Sequence, residues 1–251
     1  MENGWHDISD EEYFALDCIT SSHLKAIHSG GTAYAKAKKY RPFRPSQRMR
    51  EGTALHYSCF DRVAFNKVVV EKPTFSGTGS RKAAADWEAE AAANGSIVLT
   101  AAKYDAIERM GQMARDVIGF NVGRMEVAGY FDCPLTGPRA IKVDYLTDDC
   151  IWDLKLTSAT TRRAFQRQAQ DLEYWIQSSW YVDTAYKIDS IDRPFRWICV
   201  TEDPIRVVVY QADACEVDEG IERCNALARA WDCSVKQNEF APRIEILEIM
   251  Q

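Results

Sequence analysis

The 251 residues contain no Cys-x-x-Cys pair, no phosphate-binding glycine loop and no long apolar run. Each absence closes off a class of function. Eight cysteines are present but scattered, so they read as free, mostly buried thiols of a reducing compartment. Cys215, Cys224 and Cys233 are evenly spaced, and nine residues of helix turn through about 900°, so successive thiols face opposite ways and no iron–sulfur cluster is expected. GTGSRK around Gly77 lacks the G-x-x-x-x-G-K-[ST] order, so no ATP use is expected. No stretch approaches bilayer-spanning length, and the acidic opening MENGWHDISDEEY lacks the basic-then-apolar layout of a signal peptide. A cytoplasmic protein without membrane contact is expected. Internal repeats and low-complexity tracts are also missing.

What is present is a 46% hydrophobic chain with a net charge of −6, enough to bury a sizeable core. The negative total runs against nucleic-acid binding, which depends on neutralising phosphates. The charge is uneven, however. Lys36, Lys38, Lys39, Arg41, Arg44, Arg48 and Arg50 follow one another with no acid between them, interleaved with Tyr40 and Phe43; Arg162, Arg163 and Arg167 form a second cluster. An acidic exterior with a local basic channel satisfies both facts.

The pattern predicts a helix over 18–30, capped by Ser21 or Ser22 and ended at Gly30-Gly31, then a basic loop containing Pro42 and Pro45. Gly52 to Phe60 reads as helix, Pro73 to Ser80 as loop, and 81–94 and 100–119 as helices, the second opened by Thr100. After Asn121-Val-Gly123 the period becomes alternating, giving strands at Glu126–Asp132, Arg139–Thr147 and Cys150–Leu156, the last two joined by an Asp148-Asp149 turn. A helix from about Thr161 to Lys187 carries the apolar stripe Phe165, Ala169, Leu172 and Ile176, continuing to small Ser179. Strands at Phe195–Thr201 and Ile205–Gln211 and a helix over 216–235 complete the chain. This order implies an α+β fold with a mixed sheet flanked by helices, its core spanning 96–251, with 1–95 as an N-terminal helical extension packed on it.

The chemistry concentrates in Cys150-Ile-Trp-Asp-Leu-Lys-Leu156. Alternation puts Trp152, Leu154 and Leu156 on a buried face and sets Asp153 and Lys155 side by side on the other. On the preceding strand Ile141, Val143 and Tyr145 oppose Lys142 and Asp144, and antiparallel pairing through the tight turn brings Asp144 towards Asp153. Two neighbouring carboxylates repel unless a cation lies between them, and oxygen ligands of this kind suit Mg²⁺ or Mn²⁺. A lysine beside such an ion can orient the attacking water and stabilise charge on phosphorus. The bland alternative is a cross-strand Asp–Lys salt bridge.

Five elements in order make the sequence resemble the PD-(D/E)XK nucleases, in their exonuclease VIII (RecE-like) and lambda-type phage recombination branch. Gly52-Thr-Ala-Leu-His56 matches a helical G-x-x-x-H element, and Glu126 the acid of the first strand. Asp144 with Asp153-Leu-Lys155 matches the namesake motif, and Gln177-Ser-Ser-Trp-Tyr181 matches Q-x-x-x-Y; SSHLKAI and SIVLTAAKYDAI extend the likeness over nearly the whole chain. The resemblance implies a restriction-endonuclease-like α-β-β-β-α-β core and a Mg²⁺-dependent exodeoxyribonuclease, with Mn²⁺ able to substitute. It implies metal ligands at His56, Asp144, Asp153 and the Leu154 carbonyl, Lys155 as catalytic lysine, and supporting roles for Glu126, Gln177 and Tyr181. Arg48, Arg50, Arg162, Arg163 and Arg167 are candidate DNA contacts, the last group near hydroxyls of Thr157, Ser158, Thr160 and Thr161. It further implies 5′-to-3′ resection of double-stranded DNA ends to 3′ overhangs, a ring-shaped homo-oligomer, and a single-strand annealing recombinase as partner in phage-type recombination. Asp153 stands where the motif often has Glu, an allowed variant. The alternatives are a structure-specific or CRISPR-adaptation-like nuclease, though the cysteine pattern of the latter is absent, and a catalytically silent DNA-end binding module.

Overall fold

The structure, a computed structural model, describes residues 1–39, 41, 45–119 and 122–242. Tyr40, Pro42, Phe43, Arg44 and Asn121 of the sequence reading lie outside the described residues. The elements in chain order are β1 (Gly4–His6), α1 (Asp10–Ala15), α2 (Ser21–Lys39), α3 (Gln47–Phe60), α4 (Arg62–Val68), β2 (Val69–Glu71), α5 (Ser80–Ala93), β3 (Ile97–Leu99) and α6 (Ala101–Ile118). There follow β4 (Arg124–Cys133), β5 (Gly137–Leu146), β6 (Ile151–Leu156), α7 (Arg162–Asp171), α8 (Tyr174–Asp189), β7 (Phe195–Glu202), β8 (Ile205–Gln211) and α9 (Ala214–Gln237).

Six strands form one mixed sheet in the order β1-β4-β5-β6-β7-β8. Only β6 and β7 run parallel, because the α7–α8 crossover between them returns the chain to the same end of the sheet. A separate parallel pair joins β2 to β3. Helices cover both faces. Leu24 and Ile27 of α2, Phe165 of α7, Ile176 and Trp180 of α8 and Cys224 of α9 pack with Ile141, Val143, Ile151 and Trp197. On the other side Leu55 and Cys59 of α3 and Ile107 and Met110 of α6 pack with Leu154, Ile198 and Val200. The fold is therefore α+β, a mixed central sheet flanked by helices, as the order of elements implies. Among the described residues no helix is long and apolar enough to cross a membrane.

Capping explains most helix starts. Thr100 and Thr161 accept from Lys103 and Ala164, and Asp213 accepts from Cys215 and Glu216. Three helical expectations need correction. Gly30-Gly31 does not end α2; Gly31 kinks it (φ 79, ψ 177) and helix continues to Lys39, a backbone conformation that glycine adopts at little cost. The basic stretch is accordingly helical at both of its ends rather than loop there. Lys36 and Lys39 are helical, Lys36 over the Phe240 ring and Lys39 paired with Asp17, and Arg48 and Arg50 lie in the first turn of α3. Finally, the helix expected from Thr161 to Lys187 is two helices, broken at Leu172-Glu173, where Glu173 has a positive φ of 52 and Leu172 of the supposed stripe is exposed.

Candidate active site

The sheet opens where β5 meets its neighbours. Met125 pairs with Tyr145 and Val127 with Val143, but Glu126 and Asp144 between them do not pair. Glu126 takes a left-handed φ of 50, a strained state for a side-chain-bearing residue, of a kind that clusters at functional sites. On the other edge the β5–β6 ladder stops at Tyr145–Trp152. Beyond that point Asp144 Oδ2 accepts the Leu154 N–H at 2.7 Å, so a side chain replaces the missing backbone partner.

His56 reaches into this gap from α3. Its Nδ1 lies 3.5 Å from Glu126 Oε1 and 3.7 Å from Asp144 Oδ2, while Nε2 lies 3.1 Å from the Leu154 carbonyl oxygen. One ligand atom from each of His56, Glu126 and Asp144 falls within 4.8 Å of the others. Burial opposes the imidazolium, but Asp144 and Glu126 outweigh it and raise His56 to about 9. Burial pushes the Asp144 carboxyl up, helped by Asp153 and Glu126 against the pull of His56 and Lys155.

Asp153 is held from the opposite layer. Asp144 turns towards α3, whereas Asp153 is buried and its Oδ1 accepts from Gln177 Nε2 of α8 at 2.6 Å and from Lys155 Nζ at 2.9 Å. The two acids are thus anchored from opposite layers rather than side by side on one sheet face, and the ligand atoms that converge among the described residues are those of His56, Glu126 and Asp144, without Asp153. Asp153 Oδ2 is buried without a hydrogen bond and faces Lys155 Nζ at 2.7 Å. The carboxylate oxygens of Glu126 and Asp144, an imidazole and a backbone carbonyl make an oxygen-rich donor set that fits a hard divalent cation. The apolar side of β6 is as expected, with Leu154 buried and Trp152 and Leu156 packed beside it.

Tyr181 is placed differently from a group that reaches solvent. It is buried with its ring edge-on to Phe195 at 5.8 Å, and its phenol is raised well above the usual range, by burial first. Arg48 is engaged with Glu51 at 3.4 Å and Glu202 at 3.6 Å. Arg50 lines a cleft of about 520 Å³ with Lys72, Glu88 and Lys103. Arg162, Arg163 and Arg167 are exposed on α7. Thr157 is buried, its hydroxyl donating to Gln168 Oε1 at 2.6 Å, and Thr161 caps α7.

Two residues near the site were not singled out from sequence. Lys25 Nζ and Lys155 Nζ each lie 5.2 Å from the Tyr174 ring centroid, and Lys25 also donates to the Leu172 carbonyl at 2.6 Å. Burial and the neighbouring Lys155 lower the Lys25 ammonium to about 8. Lys25 lies within SSHLKAI, so the segment was legible. Its partner Tyr174 was not, because the α7–α8 break that exposes the Leu172 carbonyl to Lys25 was read as continuous helix.

No family model and no curated protein matches the sequence. The fold is similar to the crystal structure of a "Putative exonuclease" from Eubacterium rectale, with a TM-score of 0.66 and 14% identity over 98% of this chain and 97% of that one. A phage related exonuclease from Haemophilus somnus 129PT aligns at a TM-score of 0.38 and 13% identity, over 88% of this chain and 96% of that one. The first likeness establishes a shared fold across the whole length of both chains.

Proposed function

We propose that the protein is a divalent-metal-dependent DNA nuclease that degrades one strand from a duplex end. The observation that carries this reading is the break in the sheet around β5, where ligand atoms of His56, Glu126 and Asp144 converge and the buried Asp153 carboxylate faces Lys155. The naming of the E. rectale protein as a putative exonuclease points the same way. His56, Asp144, Asp153 and the Leu154 carbonyl would hold Mg²⁺ or Mn²⁺, with Glu126 beside them. The ion would supply Lewis-acid polarisation of a phosphate oxygen and a lowered pKa for water.

The chain's own groups have separable tasks. Lys155, kept protonated by Asp153 and Asp144 against the cost of burial, donates to the attacking water and to charge developing on phosphorus. Gln177 fixes the rotamer of Asp153. Lys25, screened from water beside Tyr174, offers a second cation to the scissile strand. Arg50, Arg163 and Arg167 are exposed and suited to flanking phosphates. The sequence resemblance adds 5′-to-3′ polarity, a ring assembly and an annealing partner to this reading.

The test is end-labelled linear duplex with Mg²⁺, run beside EDTA, a covalently closed circle and Lys155→Ala. Digestion is expected only for wild type with metal and a free end, and Lys155→Ala should lose at least about a hundredfold. Equal digestion by that variant removes the mechanism, and equal cutting of the circle replaces the exonuclease with an endonuclease.

A further inference from the structure

All of the chain's net charge of −6 is carried by its first 24 residues, which hold six acids and no lysine or arginine; the remainder is balanced. The fold lays this segment over cations. Asp7 pairs with Arg124 of β4 at 2.9 Å, Asp10 with Lys142 of β5, and Asp17 with Lys39 of α2 at 2.5 Å. Among the described residues these carboxylates are the only ion-pair partners that the three cations have. Lys142 stands close to the candidate active site. It precedes Asp144 by two residues, on the same face by strand alternation, and pairs across the ladder with Ala128, two residues beyond Glu126. Two residues of strand span about 7 Å.

The segment is lightly held. α1 has one buried residue, Tyr13, which packs with Ala128 and Ala140 and has its ring centroid 6.0 Å from Lys142 Nζ. β1 adds only three residues to the sheet edge. The side chains of Asp7, Asp10 and Asp17 are 81%, 60% and 95% exposed. Ion pairs so open to water contribute little to stability. A strand of phosphates can therefore exchange with them, since DNA binding is driven by neutralisation of phosphates by lysine and arginine.

We propose that Lys39, Arg124 and Lys142 are phosphate-binding cations for DNA, and that residues 7–17 cover them as an acidic strap which DNA displaces. The inference rests on the nuclease reading. The strap favours a polyanion over a single nucleotide, because one phosphate replaces one carboxylate whereas a strand replaces all three together. It also gives the acidic excess a place: the charge that runs against DNA binding lies on the element that leaves.

The test uses the full chain in EDTA, so that nothing is cut, with a short fluorescein-labelled duplex as probe. The triple variant Asp7→Asn, Asp10→Asn, Asp17→Asn is expected to bind it about tenfold tighter than wild type. A control variant, Asp218→Asn, Glu219→Gln, Glu222→Gln, removes as much charge from exposed positions of α9 and should change affinity by less than about twofold. Lys142→Ala should weaken binding and cancel the gain from Asp10→Asn. A six-residue helix does not persist once undocked. Saturating wild type with duplex should therefore speed hydrogen exchange at the Tyr13 and Leu16 amides, which bond to the Ser9 and Tyr13 carbonyls, and leave β4 and β5 protected. Equal gains from both triple variants would reduce the effect to net charge and overturn the proposal. Tyr13 and Leu16 amides that stay protected in the complex would overturn it too. Failure of wild type and every variant to bind duplex would instead strike the nuclease reading, and the strap with it.

Discussion

His56 stands among Glu126, Asp144 and the Leu154 carbonyl oxygen, so its charge decides whether two acids can coexist in the gap. Replacing it with alanine leaves Glu126 and Asp144 without their cation and removes a nitrogen ligand. His56→Ala is therefore expected to weaken Mg²⁺ binding by about tenfold or more, read by titration calorimetry; unchanged affinity would exclude the imidazole from the ligand set. His23 gives a second residue-scale prediction. At the start of α2 its Nδ1 faces Thr20 Oγ1 at 3.0 Å and accepts the Thr20 N–H at 3.3 Å, an arrangement that needs the neutral ring. Burial, with Lys39 adding to it, lowers His23 from 6.5 to about 4. Because the folded pKa is depressed, the stabilisation is present above about pH 6.5 and is lost as pH falls through 4. The linked free energy is at most about 3 kcal/mol. His23→Gln keeps a neutral acceptor, so urea denaturation should show wild type losing more stability than the variant between pH 7 and 4. Parallel curves would mean that His23 does not titrate as its burial requires.

Elements are joined by contacts of a different kind. Arg139 of β5 is almost fully buried; it donates to Asp183 of α8 at 2.5 Å and to Thr136 at 2.9 Å, and bonds to Asn225 of α9, with its guanidinium 4.4 Å from the Trp180 ring centroid. Lys187 bonds to the other Asp183 oxygen. Asp183→Ala would leave a buried guanidinium without its counter-charge, and a loss of about 3–5 kcal/mol is expected in denaturant unfolding. A loss below about 1 kcal/mol would show that the cluster is not holding α8 to the sheet. None of this network was legible, since Arg139 and Asp183 are 44 residues apart and each looks like an ordinary surface charge. The strands β4 to β8 were legible because alternation and turn residues are local signals. The short strands β1, β2 and β3 were not, since three residues cannot establish a period. The α7–α8 break was hidden because Glu173 carries no glycine or proline to announce its positive φ. In the site, Asp144, Asp153 and Lys155 could be read from strand pattern and spacing. The opposed anchoring of Asp144 by α3 and Asp153 by α8 depends on how the two helical layers close over the sheet, which no local pattern encodes.

For the molecule as a whole, two well-packed helical layers enclose a sheet that is weakest at its centre. There the ladder is interrupted, Glu126 is strained and three carboxylates lie near two cations. The Asp144 carboxyl is raised, so keeping it ionised at neutral pH costs stability, and that cost grows as pH rises above the ordinary carboxylate range. Asp144→Asn removes the charge while its amide oxygen can still accept the Leu154 N–H. In EDTA at pH 7.5 to 8, a range on the order of one unit above neutrality, the variant should unfold at a higher temperature than wild type. Magnesium should change that relation. An ion bound only by the folded state stabilises by about 2.7 kcal/mol at a hundredfold excess over its Kd, so the wild type should gain Tm on metal addition and the variant little. Equal gains would place the ion elsewhere. A variant less stable than wild type in EDTA would mean that the ionised Asp144 supports the fold, and that the open centre of the sheet does not depend on a cation to offset its charge.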